Sequence, residues 1–349
     1  MSSLLVAPES LYKDLSLFDT IIDVRSPAEF ALDHIPGAIS CPVLSNEERA
    51  QVGTIYKQES PFAAKKIGAA LVAKNIATHL QAHFLNKERD WKPLVYCWRG
   101  GERSGAFTHI LQRIGWKAHQ LRGGYQDYRR QVIIDLECWT KQLRFKVICG
   151  MTGSGKTRLL NQLNEHAQVL DLEGLAAHRG SVLGGLPNQE QPSQKAFETA
   201  LWNAVRNFDH QQIIYVESES KKVGSLHIPD TLMEQIRNGT CLEIQAERAV
   251  RVDCLMEDYA HFLEDSQSLE QLLGLLTQRY GKAQIAKWQA LSQEKNFRSL
   301  VDELLVRHYD PAYTDSIQRN FPNYSNAQKL VLQSAKPAAY QALADQLKS

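Results

Sequence analysis

The chain has 349 residues, room for two α/β domains and a helical extension, and 43% of them are hydrophobic, as in ordinary globular proteins. Its 40 basic and 39 acidic side chains leave a net charge of +1, which excludes a nonspecific basic coat for nucleic acid but not a local basic groove. No apolar run approaches the ~18 residues of a membrane helix. The start, Met1-Ser2-Ser3-Leu4-Leu5, lacks a basic leader ahead of an apolar core, and the six cysteines are scattered without C-x-x-C pairs. That usage argues against disulfides and zinc, and predicts a reducing, cytoplasmic setting with no membrane partner.

In chain order, Phe18–Val24 reads as a strand, and Ser26 then caps a short helix opened by Pro27. His34–Ile39 turns into a second strand and Ala63–Leu85 is helical. Pro93–Tyr96 is a strand feeding Cys97, Ser104–Gly115 an amphipathic helix, and Lys117–Leu121 a last short strand. Strands alternating with helices predict a parallel sheet covered on both faces. The strand pattern restarts around Leu136–Arg144, which puts one domain at residues 1–138 and a second at 139–349. In the second, Phe145–Cys149, Gln168–Leu172, Gln212–Val216 and Cys241–Gln245 read as buried strands. From Asp253 onward the pattern is helical, with three- and four-residue apolar spacing through Leu269–Leu276, Ile285–Leu291 and Leu300–Val306.

Two loops carry the chemistry. Cys97-Trp98-Arg99-Gly100-Gly101-Glu102-Arg103-Ser104 joins a strand to a helix, so loop amides and a helix N-terminus favour negative charge at its floor. Cys97 is the candidate nucleophile and Arg103 the candidate anion contact, with Arg99, Gly100, Gly101 and Ser104 completing the cradle. Trp98 stacks on a base or an apolar chain, or belongs to the core.

The second loop, Gly150-Met151-Thr152-Gly153-Ser154-Gly155-Lys156-Thr157, fulfils G-x-x-x-x-G-K-[ST] between a strand and a helix. Its amides suit a diphosphate, Lys156 the phosphoryl oxygens and Thr157 a magnesium ion. Asp171 and Glu173 follow a strand expected beside the phosphate-loop strand, where they bind substrate hydroxyls or a metal, or cap a helix. Glu217 and Glu219 close another strand at the end where open α/β sheets bind ligands. Arg179 sits in a candidate basic loop over that crevice, and Arg248 and Arg251 are candidate phosphate clamps or a solvated helix face. Asp23 and Arg25 are expected to support the fold, His34 to satisfy a turn, and the remaining cysteines to be structural.

Asp23-Val24-Arg25-Ser26-Pro27-Ala28-Glu29-Phe30, His34-Ile35-Pro36-Gly37-Ala38, the Cys97 loop and Leu121-Arg122-Gly123-Gly124-Tyr125 resemble a rhodanese domain. Its fusion to a P-loop domain, with Cys-Trp-Arg-Gly-Gly-Glu-Arg-Ser-Gly in the loop, resembles the bacterial tRNA 2-selenouridine synthases. The resemblance implies a rhodanese-like parallel-sheet domain followed by a P-loop NTPase-like α/β domain with a helical C-terminal portion. It further implies a tRNA carrying 2-thiouridine at the wobble position, whose sulfur is replaced by selenium from selenophosphate through an S-geranyl intermediate made from geranyl diphosphate. On that footing Cys97 attacks or holds selenium, Arg103 and the loop amides grip selenophosphate, and Lys156 stabilises departing diphosphate. A selenophosphate-producing enzyme is then a candidate partner.

One departure is the spacing of Cys97 and Arg103, C-x5-R, which matches cysteine phosphatases and makes a cradle wide enough for a tetrahedral oxyanion. Two alternatives stand beside the synthase: a cysteine-dependent phosphatase or sulfurtransferase fused to an ATP-dependent kinase-like domain, and a noncatalytic RNA- or nucleotide-binding regulator. The pattern leaves open whether the second loop takes geranyl diphosphate or ATP.

Overall fold

The computed structural model describes residues 5–6, 15–181, 184–185, 189–260 and 266–348. The chain forms two compact units, Met1–Leu136 with Pro192–Asn203, and Glu137–Gln191 with Ala204–Ser349. Among the described residues no helix is long and apolar enough to cross a membrane.

In the first unit, strands β1 (Leu5–Val6), β2 (Thr20–Asp23), β3 (Ala38–Ser40), β4 (Pro93–Tyr96) and β5 (His119–Leu121) make a parallel sheet in the order β1-β5-β4-β2-β3. Strand β4 is buried along its whole length, the reason it reads as an unbroken apolar run rather than an alternating one. Helices α1 (Pro27–Leu32), α2 (Asn46–Gln58), α3 (Pro61–His79), α4 (Glu102–Ile114) and α5 (Gly124–Thr140) accompany it. Helix α2 was not evident from apolar spacing. It starts at Ser45, whose side chain accepts from Glu48 N while Glu48 returns a carboxylate to Ser45 N. The strand expected from Leu136 is helix instead as far as Thr140. Val132 and Leu136, four apart, are buried on one face of α5, and the strand begins only at Arg144.

The opening sequence motif has a physical explanation. Asp23 and Arg25 are 0% and 1% exposed and pair directly, Arg25 Nη2 lying 2.6 Å from Asp23 Oδ2 and donating also to Asp33 O at 2.6 Å. The guanidinium carbon lies 3.9 Å from the Tyr125 ring centre, and Tyr125 Oη donates to Asp33 Oδ2 at 2.7 Å. Asp33 also accepts from Thr199 Oγ1 at 3.1 Å, on helix α8 (Gln194–Asn207). Both residues therefore support the fold, as expected. His34 is a satisfied turn residue, its Nδ1 lying 3.0 Å from Phe30 O.

In the second unit, β6 (Arg144–Cys149), β7 (Gln168–Leu170), β8 (Ile213–Glu217), β11 (Thr240–Ala246) and β12 (Gln328–Leu332) form a parallel sheet in the order β12-β11-β6-β8-β7. A small antiparallel pair, β9 (Lys222–Val223) and β10 (Leu226–His227), follows β8. Two expectations are corrected. The strand leading to Asp171 lies at the sheet edge beside β8, not beside β6, whose neighbours are β8 and β11. The C-terminal portion is not wholly helical: β12 pairs with β11 from Leu242↔Gln328 to Ala246↔Leu332. Leu330 and Leu332 are buried while Lys329 and Val331 are exposed, a two-residue period embedded in helical surroundings.

Around this sheet lie α6 (Lys156–Leu163), α7 (Leu172–Ala176), α9 (Asp230–Arg237), α10 (Arg248–Asp258), α11 (Ser266–Gly274), α12 (Thr277–Gln293), α13 (Phe297–Leu304), α14 (Asp310–Asn320) and α15 (Pro337–Leu347). The expected apolar spacing holds, since Leu269, Leu273, Ile285, Trp288, Leu300 and Leu304 join one core. Helix α12 bends at Gly281, where φ is +78°.

Replacing Arg25 with alanine strands a buried carboxylate, so it should destabilise the first unit by about 3–5 kcal/mol. Urea unfolding checks this; an unchanged midpoint would contradict the structural role.

Candidate functional site

The Cys97 loop is held by its carbonyls. Cys97 O accepts from Tyr125 N at 2.8 Å and Trp98 O from Gln126 N at 2.9 Å, both at the start of α5. Gln120 Nε2, from β5, donates to Gly100 O at 2.7 Å and to Gly101 O at 3.2 Å. With the carbonyls drawn outward, the amides of Trp98, Arg99, Gly100 and Gly101 have no protein acceptor among the described residues. That is the geometry of an anion nest.

Two glycines make the close approach feasible. Gly100 has φ +64°, and a Cβ there would lie 2.5 Å from Leu121 O. At Gly124, φ +58°, a Cβ would lie 2.3 Å from Cys97 O. Any side chain at either position would push the closing motif off the loop. A Cβ at Gly101 would meet nothing within 4 Å, so one side of the loop is open.

Cys97 lies at the floor, 3% exposed, with Ser104 Oγ donating to its sulfur at 3.1 Å; Gln120 Nε2 in turn donates to Ser104 Oγ at 2.9 Å. Arg103 stands in the first turn of α4, its guanidinium 3.0 Å from Glu29 Oε2, and this neighbour holds Glu29 below the ordinary carboxylate range against burial. Arg99 is exposed. Glu102 is a solvated carboxylate facing Lys65 at 3.3 Å. Trp98 is half-buried against Tyr125, ring centres 5.4 Å apart. The other thiols differ in setting: burial and Asp23 push Cys41 up to about 12, and burial raises Cys254.

In the second unit the phosphate loop opens on a cavity of about 610 Å³ that brings together Lys156, Thr157, Asp171, Glu173, Arg179 and Glu219. Gly150, Gly153 and Gly155 have φ of +155°, +81° and +73°. Gly153 and Gly155 back onto α10 and α15, since a Cβ at Gly153 would lie 2.7 Å from Arg251 O and one at Gly155 2.2 Å from Tyr340 Oη. Their amides have no protein acceptor among the described residues. Lys156 Nζ donates to Gly150 O at 2.8 Å, folded across its own loop, and Ser154 is buried.

Thr157 Oγ1 donates to Glu173 Oε2 at 2.9 Å, and Glu217 Oε1 accepts from Glu173 N at 3.0 Å. Glu217 lies behind the cavity wall, 0% exposed, and burial, then the neighbouring Glu173, raises its carboxyl well above the ordinary value. Burial, then repulsion from Glu219, raises Glu173 to about 7, opposed by Lys156. Burial also raises Glu219, with Lys156 opposing. Asp171 caps α7, accepting from Gly174 N at 2.7 Å. Arg179 donates to Asp258 O and lies 4.8 Å from the Tyr259 ring centre. Among the described residues no three His, Cys, Asp or Glu side chains converge on a metal position, so a magnesium ion at Thr157 would depend on that hydroxyl, Glu173 and ligand oxygens.

Of the two readings for Arg248 and Arg251, phosphate clamps or a solvated helix face, the surface reading describes Arg248 and neither describes Arg251. Arg251, 4% exposed, donates to Thr152 O at 2.9 Å and pairs with Asp310 at the start of α14, while Arg248 pairs with Asp302 on the surface. Burial needs fixed partners, and Arg251 has Thr152 O, Met151 Sδ and Asp310. Tyr313 also belongs to the site: its hydroxyl accepts from Gly150 N at 2.7 Å and its ring centre lies 5.7 Å from Lys156 Nζ. No local sequence signal marks it, because the contact spans most of the unit.

Residues 7–131 match the rhodanese-like domain, and residues 143–341 match the AAA domain of tRNA 2-selenouridine synthase. A tRNA 2-selenouridine synthase of Nitrosomonas europaea is 32% identical over 355 aligned residues, spanning 88% of this chain and 92% of the relative. That of Alcanivorax borkumensis is 33% identical over 343, spanning 88% of this chain and 92% of the relative.

A carboxyl raised to about 7 binds its proton more tightly in the fold than in the unfolded chain, where 4.5 applies. Its stabilising contribution is therefore complete below about 4.5 and is lost as pH rises through about 7. Glu173→Gln should shrink the fall in melting temperature of the second unit between pH 5 and 8. Identical slopes in both proteins would refute this assignment.

Proposed function

Because the chain belongs to the tRNA 2-selenouridine synthase family, a family of tRNA-modifying enzymes, we propose that it replaces the sulfur of wobble 2-thiouridine with selenium from selenophosphate, through an S-geranyl intermediate. The observation that carries this reading is the pair of amide nests. One encloses a thiol and the other an ammonium and a hydroxyl, so each suits a different anionic reagent.

In the first step geranyl diphosphate binds through its diphosphate at Gly150–Thr157. The thiocarbonyl sulfur of the base forms a bond to the allylic carbon, the carbon–oxygen bond breaks, and its electron pair leaves with diphosphate. The N3 proton of the base goes to solvent. Lys156 and the loop amides stabilise the charge that develops on the leaving oxygen. Alkylation turns sulfur into a competent leaving group.

In the second step selenophosphate lies in the Cys97 loop, its phosphoryl oxygens on the free amides and Arg103 beside them. Attack by the Cys97 sulfur on phosphorus forms an S–P bond, breaks the P–Se bond and frees selenide, and water then clears the cysteine. Selenide adds at C2 of the base and geranylthiolate departs. The C-x5-R loop is wide enough for this tetrahedral group, as it would be for a phosphoester.

Cys97→Ala should abolish selenation and leave S-geranyl-2-thiouridine to accumulate, whereas Lys156→Ala should cut geranyl transfer by about a hundredfold or more. Mass spectrometry of tRNA nucleosides reads both. Loss of both products in Cys97→Ala, or full geranylation in Lys156→Ala, would break the division of labour.

A further inference from the structure

Beside the phosphate-loop cavity lies an apolar cleft that none of the roles above uses. The two spaces share Thr152, Leu255, Tyr259 and Tyr309 in their linings, so they adjoin. The cleft measures about 60 Å³ and is lined further by Leu269, Phe297, Leu300 and Leu304, with half-buried Met256 at its side. Tyr259 turns its hydroxyl toward Ser181, 3.5 Å away, and contributes its ring.

A greasy recess adjoining a phosphate nest is an unusual neighbour. A nucleobase there would lose water from its ring nitrogens without gaining partners. A branched hydrocarbon loses nothing and gains burial. The size is equally restrictive: the space takes about four to six groups the size of water or a methylene, close to one five-carbon isoprene unit. A two-unit tail would then place its far unit in the cleft and its near unit beside Thr152, where the two spaces adjoin.

We propose that this cleft is the tail site of an allylic diphosphate, and that Leu269, Phe297 and Leu300 set its length at two isoprene units. This rests on the assignment of geranyl transfer to Lys156 and its loop, and adds to it a residue-level basis for chain length. Longer tails meet the core of the C-terminal helices, and shorter ones leave apolar surface unfilled.

The test uses the full chain, tRNA bearing 2-thiouridine, and dimethylallyl, geranyl and farnesyl diphosphates, with alkylated nucleosides quantified by mass spectrometry. Met256→Trp narrows the cleft from a half-buried position. It should raise KM for geranyl diphosphate by about tenfold and leave that for dimethylallyl diphosphate unchanged. Phe297→Ala deepens the cleft and should raise kcat/KM for farnesyl relative to geranyl diphosphate by about tenfold. A cooperative melting transition that stays above the assay temperature, with unaltered binding of inorganic diphosphate, establishes that each variant keeps its fold and its loop. If the parent protein transfers geranyl but both variants keep its chain-length ratios, the tail site is wrong and geranyl transfer stands. If the parent transfers no prenyl group and instead binds ATP through Lys156, geranyl transfer itself is wrong and the tail site falls with it.

Discussion

The direction in which a backbone points its amides is the constraint from which the rest of this structure follows. An anion nest needs several successive N–H groups facing one point, and the matching carbonyls must then be satisfied from outside. In the first unit Tyr125 N, Gln126 N and Gln120 Nε2 take the carbonyls of Cys97, Trp98, Gly100 and Gly101. That explains why a Gly-Gly-Tyr segment after β5 accompanies the cysteine loop. Gly124 supplies the approach and Tyr125 the donor, and the Tyr125 ring covers the buried Asp23–Arg25 pair. Sequence motifs far apart in the chain are thus one object in space.

The second unit meets the same constraint with different parts. Gly153 and Gly155 press their backbone against α10 and α15, so the loop is backed by helices rather than by another loop. Arg251 draws Thr152 O away from the nest and ties it to Asp310, and Tyr313 closes the loop's first amide. The helices after β11 therefore do more than extend the domain. They hold the phosphate loop in shape and set an apolar wall, from Leu255 to Phe297, beside a polar cavity. Burial acts on the carboxyls there: it raises Glu217 behind the wall and, next to Thr157, raises Glu173 to about 7.

Much of this was legible in the sequence wherever the signal was local. Pro93–Tyr96 and Arg144–Cys149 appear where apolar runs place them, and both anion loops sit between the strand and helix that their spacing implies. The roles of Asp23 and Arg25 were legible too, because a short-range acid–base pair at a strand end has few other uses. What escaped was set by partners remote in sequence. Arg251 looks like a free cation until Asp310 is beside it, and Gln120 and Tyr313 carry no pattern of their own. Strand β12 was hidden because five residues of alternation cannot compete with helical spacing on either side. The β7 position was misjudged because strand order depends on crossovers, and residues within a strand do not encode it.

The most direct measurement is site-resolved alkylation of the cysteines by iodoacetamide, read by peptide mass spectrometry with and without small anions. If the Cys97 loop is an anion nest over a reactive thiol, phosphate or thiosulfate should slow modification of Cys97 alone, and Gly124→Ala should remove that protection. Modification of Cys97 that is undetectable, or indifferent to every oxyanion, would contradict a nest built around that sulfur.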